Sequence, residues 1–218
     1  MTVVFRVDFH THTSASKDCL TSPADFVRAA RRRGLDRVVV TDHNTIAGAL
    51  AAHALDPELV IVGEEIMTAR GEILASFVTE EIPPGLSPLE TIHRLREQGA
   101  FISVSHPFDS WRSGAWKPDD LLEIVPLVDA IEVFNARCLS RRENLKAQAF
   151  ACLHNLPGTA GSDAHTALEI GAGRLVTPQF TGPEGLRMVI REARVEGRLS
   201  PFWVHFASSF ASWRKKVV

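Results

Sequence analysis

His10 and His12 stand two apart in the stretch Asp8-Phe9-His10-Thr11-His12. In an extended chain, residues two apart point to the same side, so these imidazoles aim at one point. Neutral imidazole is the commonest protein ligand for zinc and also serves iron and manganese. A lone His-x-His is equally two surface histidines that happen to alternate, so the rest of the chain must decide. Nitrogen and oxygen donors recur along it in Asp42-His43-Asn44, Glu64-Glu65, Ser105-His106, Asn135 and Asp163-Ala164-His165. Sulfur does not join them. Cys19, Cys138 and Cys152 are odd in number and scattered, without a Cys-x-x-Cys pair, which argues against both a disulfide framework and a thiolate metal site.

Strands are needed to bring such residues together. The run Val3 to Val7 is rich in β-branched and aromatic residues and reads as a strand buried on both faces. Ser22, Pro23 and Asp25 make a helix start, with Arg31-Arg32-Arg33 towards its end, where the helix dipole favours cations, and Gly34 as its stop. The same grammar then repeats. Val38 to Val40 is a strand before an alanine-rich helix from Thr45 to His53, and Leu59 to Val62 is a strand whose hairpin partner runs from Ile73 to Val78. Ser87 to Gln98 is a helix before a strand at Phe101 to Val104. Val128 to Phe134 is a strand before a helix at Arg141 to His154, and Pro157 to Ala160 leads into the last donors. Strands alternating with helices imply parallel βα units in one domain over residues 1–218. The donors follow strand ends near Phe9, Val40, Val62, Val104, Phe134 and Ala160. In a parallel barrel those ends share the face that carries the chemistry.

Composition narrows the function. A chain of 218 residues with 45% hydrophobic and 23% charged residues reads as an ordinary globular protein with a substantial core. A net charge of −2 gives no electrostatic reason to expect binding to a nucleic-acid duplex, but it leaves room for a small anion at a metal. No apolar run has the length of a signal-peptide core or a membrane span, so a cytoplasmic protein without a membrane partner is expected.

The stretches DFHTHTSASKD, VTDHNTIAG, GEEI, SHPFD, EVFNAR and GSDAHT resemble, in order, the motifs of the PHP family, named for its polymerase-associated and histidinol-phosphatase members. The resemblance spans roughly Val7 to Gly173. It implies an α/β fold, a distorted (β/α)7 barrel of TIM-barrel type, in a small stand-alone phosphoesterase holding two or three divalent ions of zinc, manganese or iron. Carried over motif by motif, it places His10, His12, Glu65 and Asp163 around one metal. Glu65 bridges to a second metal shared with His106, while Asp18, His43 and His165 hold a third. Some relatives have histidine where this chain has Asp18, and others near Asn135. A neutral amide is a weak ligand, so Asn135 or Glu132 is the reserve ligand of the second metal. Asp42 either orients a ligand or caps the following helix.

The expected reaction is hydrolysis of a phosphate ester by metal-activated water. Asp163 or His165 passes a proton to the leaving group and Arg137 clamps the phosphate, with Arg174 a weaker candidate. Trp111, Arg112, Trp116 and Lys117 follow His106 in a Gly-containing loop that either closes over substrate or packs as surface. The partner is a small phosphorylated substrate (nucleotide, sugar phosphate or short single-stranded nucleic acid). Two alternatives stand beside this reading: an amidohydrolase-type metal hydrolase, which also opens on His-x-His, and a non-catalytic metal-binding regulatory module. His53, His93, His154 and His205 read as structural or solvated, and Cys19 lacks a neighbouring base. Residues 201–213 read as a helix whose Phe202, Trp203, Phe206 and Phe210 dock on the barrel.

Overall fold

The computed structural model describes residues 3–112 and 114–217. Seven strands form the barrel wall: β1 (Val4–Asp8), β2 (Arg37–Val40), β3 (Val60–Met67), β4 (Glu72–Ser76), β5 (Phe101–Val104), β6 (Ala130–Asn135) and β7 (Gly158–Gly161). They pair in chain order. The β1–β2, β2–β3, β5–β6 and β6–β7 pairs are parallel, whereas β4 runs antiparallel to both its neighbours. The hairpin anticipated after Gly71 is therefore present, and it is the reason the barrel is not uniformly parallel. It does not disturb the common face, because β3 still delivers Glu65 there by parallel pairing with the chain after β2, as His43 meets Glu65 in a parallel bridge.

Closure of the wall is divided along β1. Its first half pairs antiparallel with β8 (Gly173–Pro178), from Val4 opposite Pro178 to Val7 opposite Leu175. Beyond Asp8 the chain turns to β7 instead: Phe9 N donates to Ala160 O at 3.1 Å and Asp163 N to His10 O at 2.7 Å. The buried Asp8 carboxylate secures this change of partner by accepting from Ser162 N, Ser162 Oγ and Gly171 N at 2.9, 2.5 and 2.8 Å. The result is a nearly closed, distorted barrel with its His10 end sealed. β8 carries β9 (Arg194–Gly197) as an outer antiparallel extension.

Side chains alternate along the strands as the two-residue period demands. Val39, Ile61 and Phe101 point inward with Phe5, Phe9 and Ala160. Val38, Val40 and Val60 point outward onto α1 (Pro23–Arg32) and α2 (Ala47–Leu55). On the far side, Ile102, Val104 and Ile131 meet α3 (Pro88–Glu97) and α4 (Pro118–Ile124). Ser22 and Ser87 cap α1 and α3 by accepting from the third residue on, each with proline at the first turn. The chain continues through α5 (Arg141–Leu153) and α6 (Gly182–Val189). Sequence patterning did not reveal α4, β8, α6 or β9, which are short and lack a full apolar period.

The last helix, α7 (Val204–Val217), is longer than the predicted 201–213 and turned over. Its buried residues are Val204 and Ala211, while Phe202, Trp203, Phe206, Phe210 and Trp213 are 51–65% exposed. The expected aromatic docking is thus corrected. Small and polar side chains face the barrel, where Ser208 Oγ meets Arg137 and Lys215 Nζ donates to Ser14 O and Ser16 O. The barrel mouth is polar, so the polar face of α7 is the one it accepts. No helix among the described residues is long and apolar enough to cross a membrane.

Candidate metal centre

His10 and His12 leave the end of β1 side by side, their rings 5.1 Å apart. Around them stand Glu65 from β3 and Asp163 from the turn after β7. His10 Nε2 lies 3.3 Å from Glu65 Oε2 and 3.6 Å from Asp163 Oδ1; His12 Nε2 lies 3.5 and 3.3 Å from the same atoms. Donors about 2.0–2.1 Å from a tetrahedral ion are about 3.3 Å from one another. These four atoms are also buried without a hydrogen-bond partner. Buried polar atoms are normally satisfied, so four orphans meeting at metal-ligand spacing fit a cation and little else. Asp163 adopts a φ of 53°, a left-handed conformation that aspartate tolerates better than most residues and that is held where a site needs it.

Two further groups flank this one. Glu65 presents Oε1 to His106 Nε2 at 3.2 Å, and the same nitrogen is 3.4 Å from Glu72 Oε2. On the other side, Asp18 Oδ2 lies 3.5 Å from His43 Nε2 and 3.2 Å from His165 Nε2. Glu65 Oε2 also reaches His43 Nδ1 at 3.0 Å, so one carboxylate touches all three groups. The eight residues expected as ligands are therefore brought together, and Glu72 stands beside them. Glu72 escaped sequence reading because it opens the antiparallel strand, where no strand-end rule applies. Its one signal is an acidic residue directly after the Gly71 turn at the start of an apolar run.

The reserve ligands have other tasks. Glu132 Oε1 lies 3.0 Å from His10 Nδ1, while Oε2 accepts from His106 N at 2.8 Å. It orients ligands, because both its oxygens are spent on them. Asn135 Nδ2 donates to Glu132 and Asp163 at 3.1 Å each, and its Oδ1 accepts from Arg137 N at 2.8 Å. Every polar atom of the two residues already has a partner, unlike the open donor atoms of His10, His12, Glu65 and Asp163, so the structure places both as orienting groups where ligands were expected. Asp42 orients rather than caps: it accepts from Ser16 Oγ at 2.6 Å, and Ser16 Oγ lies 3.1 Å from His12 Nδ1. A methyl group on Gly48 would collide with Thr13 Oγ1 and Asp42 Oδ2, so α2 must carry glycine there.

The charges are strongly coupled. Burial opposes protonation of His10, but Glu65, Asp163 and Glu132 outweigh it and hold its pKa well above the ordinary value. Burial likewise opposes charging His43, where Glu65 and Asp18 prevail in the same direction. His12 is driven the other way by burial and by the neighbouring His165 and His43. Burial favours a neutral Glu65 and a neutral Asp163. His10 and His43 overcome it for Glu65, and Arg112 and His10 for Asp163, so both carboxyls stay well below their usual range. Glu72 is raised, first by burial and then by Glu65.

A cleft of about 380 Å³ opens above Asp18, His43, Glu72 and His165, walled by Lys17, Arg112, Arg137 and His205. Arg112 reaches Asp163 Oδ2 at 2.6 Å and Asp109 Oδ2 at 3.1 Å. Arg137 is buried, 3.3 Å from Glu169 Oε1, and donates to Ser208 Oγ at 2.9 Å. Trp111 stands 79% exposed at the rim. Trp116 is instead a core residue, its Nε1 donating to Glu72 O at 3.0 Å and its ring filling the space above Gly71. Lys117 is exposed at the start of α4 and does not line the cleft. His205 was expected to be structural or solvated and lies in the cleft wall. Cys19 is buried against His12 O, and burial pushes its thiol up to about 11, which removes it as a nucleophile.

A family model described as the PHP domain matches residues 8–80, and one described as PHP-associated matches residues 141–195. Two uncharacterised proteins of Methanocaldococcus jannaschii are similar. MJ1587 is 35% identical over 144 residues, 60% of this chain and 82% of its own length. MJ0417 is 36% identical over 169 residues, 76% of this chain and 68% of its own length. Among solved structures, a two-domain protein from Bacteroides vulgatus containing a predicted PHP-like metal-dependent phosphoesterase superposes with a TM-score of 0.72 at 20% identity. That match covers 90% of this chain and 66% of the two-domain protein.

Proposed function

The chain belongs to the PHP family, and from that premise we propose that it is a hydrolase, a metal-dependent phosphoesterase. One observation carries the reading: the partnerless donor atoms of His10, His12, Glu65 and Asp163, set at metal-ligand spacing beside a cleft with three cationic side chains. The reading assigns three cation positions. The first uses those four residues, the second Glu65, His106 and Glu72, and the third Asp18, His43 and His165. Zinc, manganese and iron all suit the nitrogen and oxygen donors. When bound, such ions supply a nucleophile from water near neutral pH and offset phosphoryl charge.

The chain's own residues do the rest. Arg112, Arg137 and Lys17 grip the phosphoryl oxygens, the guanidinium groups by paired hydrogen bonds. Glu169 and Ser208 hold the Arg137 fork in place, and Asp109 does the same for Arg112. Proton delivery to the leaving oxygen, expected of Asp163 or His165, falls to neither and is left to water in the cleft. Asp163 commits Oδ2 to Arg112 and Asn135 and turns Oδ1 to the first cation position, and its carboxyl is held ionised. His165 fixes its tautomer by donating Nδ1–H to Asp163 O at 2.8 Å, which leaves the Nε2 lone pair for the third cation position. The substrate class is a small phosphorylated compound (nucleotide, sugar phosphate or short oligonucleotide).

The test is a substrate panel with manganese, zinc and iron supplied separately, alongside elemental analysis of the purified protein. Turnover of phosphoesters that chelation abolishes is the expected result. Full metal content with hydrolysis of cyclic amides and not of phosphoesters would replace the reading with the amidohydrolase one. Full metal content without any turnover would leave a regulatory module.

A further inference from the structure

The outward face of α7 is apolar and meets no other element among the described residues. Phe202, Trp203, Phe206, Phe210 and Trp213 are all more than half exposed. At 3.6 residues per turn they share one face of the helix. Opposite them lie the buried Val204 and Ala211 and the side chain of Lys215, which donates to Ser14 O and Ser16 O. The turn before the helix continues the same winding, since Phe206 N donates to Trp203 O at 3.1 Å. The rings already meet in pairs: the centroids of Phe202 and Phe206 are 5.5 Å apart, and those of Phe210 and Trp213 are 5.8 Å apart. At about 200 Å² per aromatic side chain, the exposed part of the row amounts to roughly 600 Å². A contiguous apolar patch of that size marks an interaction surface.

The spacing of the row says what fits there. It reads Trp203-x-x-Phe206-x-x-x-Phe210-x-x-Trp213, which is the same in either direction about Ser208. A twofold axis crossing the helix at that level sets each residue against its mirror position on a second copy: Phe206 against Phe210, and Trp203 against Trp213. Neither a lipid surface nor an unrelated protein calls for that symmetry. The charges favour the same arrangement. No carboxylate occurs between Glu196 and Val218, while Arg214 and Lys216 stand exposed beside the aromatic row. Parallel helices would press these cations together. Antiparallel ones hold the two Arg214 positions about 18 Å apart along the axis, well beyond a Debye length of about 8 Å. Each Arg214 then lies level with Phe202 of the other copy, where a guanidinium gains from an aromatic face. Leu20, 40% exposed and lining one hollow with Phe210, widens the contact towards the roughly 800 Å² per partner of a stable interface.

We propose that this face pairs with its copy on a second chain, through antiparallel α7 helices, to make a homodimer. The inner face of each helix carries Ser208 to Arg137 and His205 to the cleft wall, so the paired helices back both metal clefts.

Sedimentation equilibrium of the metal-loaded chain, from submicromolar to high micromolar concentration, tests this. The wild type is expected at twice the chain mass of 24.0 kDa. Phe206→Glu and Phe210→Lys each bring two unpaired charges into the contact, so each should weaken dimerisation about a hundredfold or more. Combined in one chain, the two substitutions should recover most of that loss, because each new carboxylate then faces a new ammonium of the other copy. Both positions are exposed, and Phe206→Ser with Phe210→Ser, expected to be monomeric, serves if a charged variant does not fold. A wild type that is monomeric at every concentration would overturn the proposal, and flotation of that monomer with phosphatidylglycerol vesicles would give the face to lipid instead. A dimer that neither single variant weakens would place the contact elsewhere on the molecule. Failure of the combined variant to regain affinity would overturn the antiparallel register, since parallel helices set like charges opposite one another.

Discussion

Replacing Glu65 with glutamine keeps the volume of the side chain and removes half of its ligand capacity. The carboxylate works in two directions: Oε2 faces His10, His12 and His43 at 3.3, 3.5 and 3.0 Å, and Oε1 faces His106 at 3.2 Å. An amide has one acceptor oxygen and a nitrogen that only donates. The amide of Glu65→Gln can therefore serve one side at most, and the charge that lets neighbouring cations sit close together is gone from both. Loss of an orienting partner beyond the metal typically costs 10- to 100-fold in affinity, so loss of a direct charged ligand should cost about 100-fold or more at each position it joins. That is about 3 kcal/mol per position. Elemental analysis after dialysis against fixed free metal should show Glu65→Gln falling by more than one equivalent per chain, with hydrolysis lost. Thermal unfolding of the metal-free protein separates metal loss from misfolding. Loss of one equivalent with the others retained would show Glu65 to be a terminal ligand, and unchanged content would refute the shared-carboxylate geometry.

Other perturbations separate the remaining roles. His10→Ala or Asp163→Ala should abolish hydrolysis and lower metal content, and wild-type turnover with full metal in either would remove the first position. Glu132→Gln should weaken metal binding about 10- to 100-fold by releasing His10 Nδ1, measured by competition with a chelating dye, with the fold intact by circular dichroism. Arg137→Lys should keep full metal content yet lose about tenfold to a hundredfold in kcat/KM, because lysine cannot reproduce the fork. Arg137 also pairs with the buried Glu169, so normal kinetics in that variant would make the arginine purely structural. Metal affinity should also rise with pH through and above the ordinary imidazole range. His10 and His43 have raised pKa values in the metal-free centre, protons compete for them below those values, and loading releases protons. A pH-independent affinity would contradict this, and titration in buffers of different ionisation enthalpy counts the protons released.

The sequence by itself determined, to within one residue, which donor side chains converge on the barrel face. His10, His12, His43, His106, Asp163 and His165 follow closely on strand ends and Glu65 lies near the end of β3, so strand patterning places them all at one face. Those relations are local, so patterning carries them. Asp18 was legible through its motif for the same reason of proximity: it belongs to the loop that His12 opens. What only the tertiary structure decided lies between elements that are distant in the chain. Glu72 joins His106 because β4 reverses direction, a pairing that no local pattern encodes. Glu132 and Asn135 changed from ligands to orienting groups because His10, His106, Arg137 and Asp163 had already claimed their polar atoms. Trp116 and Trp111 look alike in sequence, yet the space above Gly71 buries one and leaves the other at the rim. The last helix was read from its aromatic stripe, but the surface awaiting it is a polar barrel mouth with Arg137, Ser14 and Ser16. A helix presents whichever face its neighbour can satisfy, and that neighbour exists only once the barrel has closed.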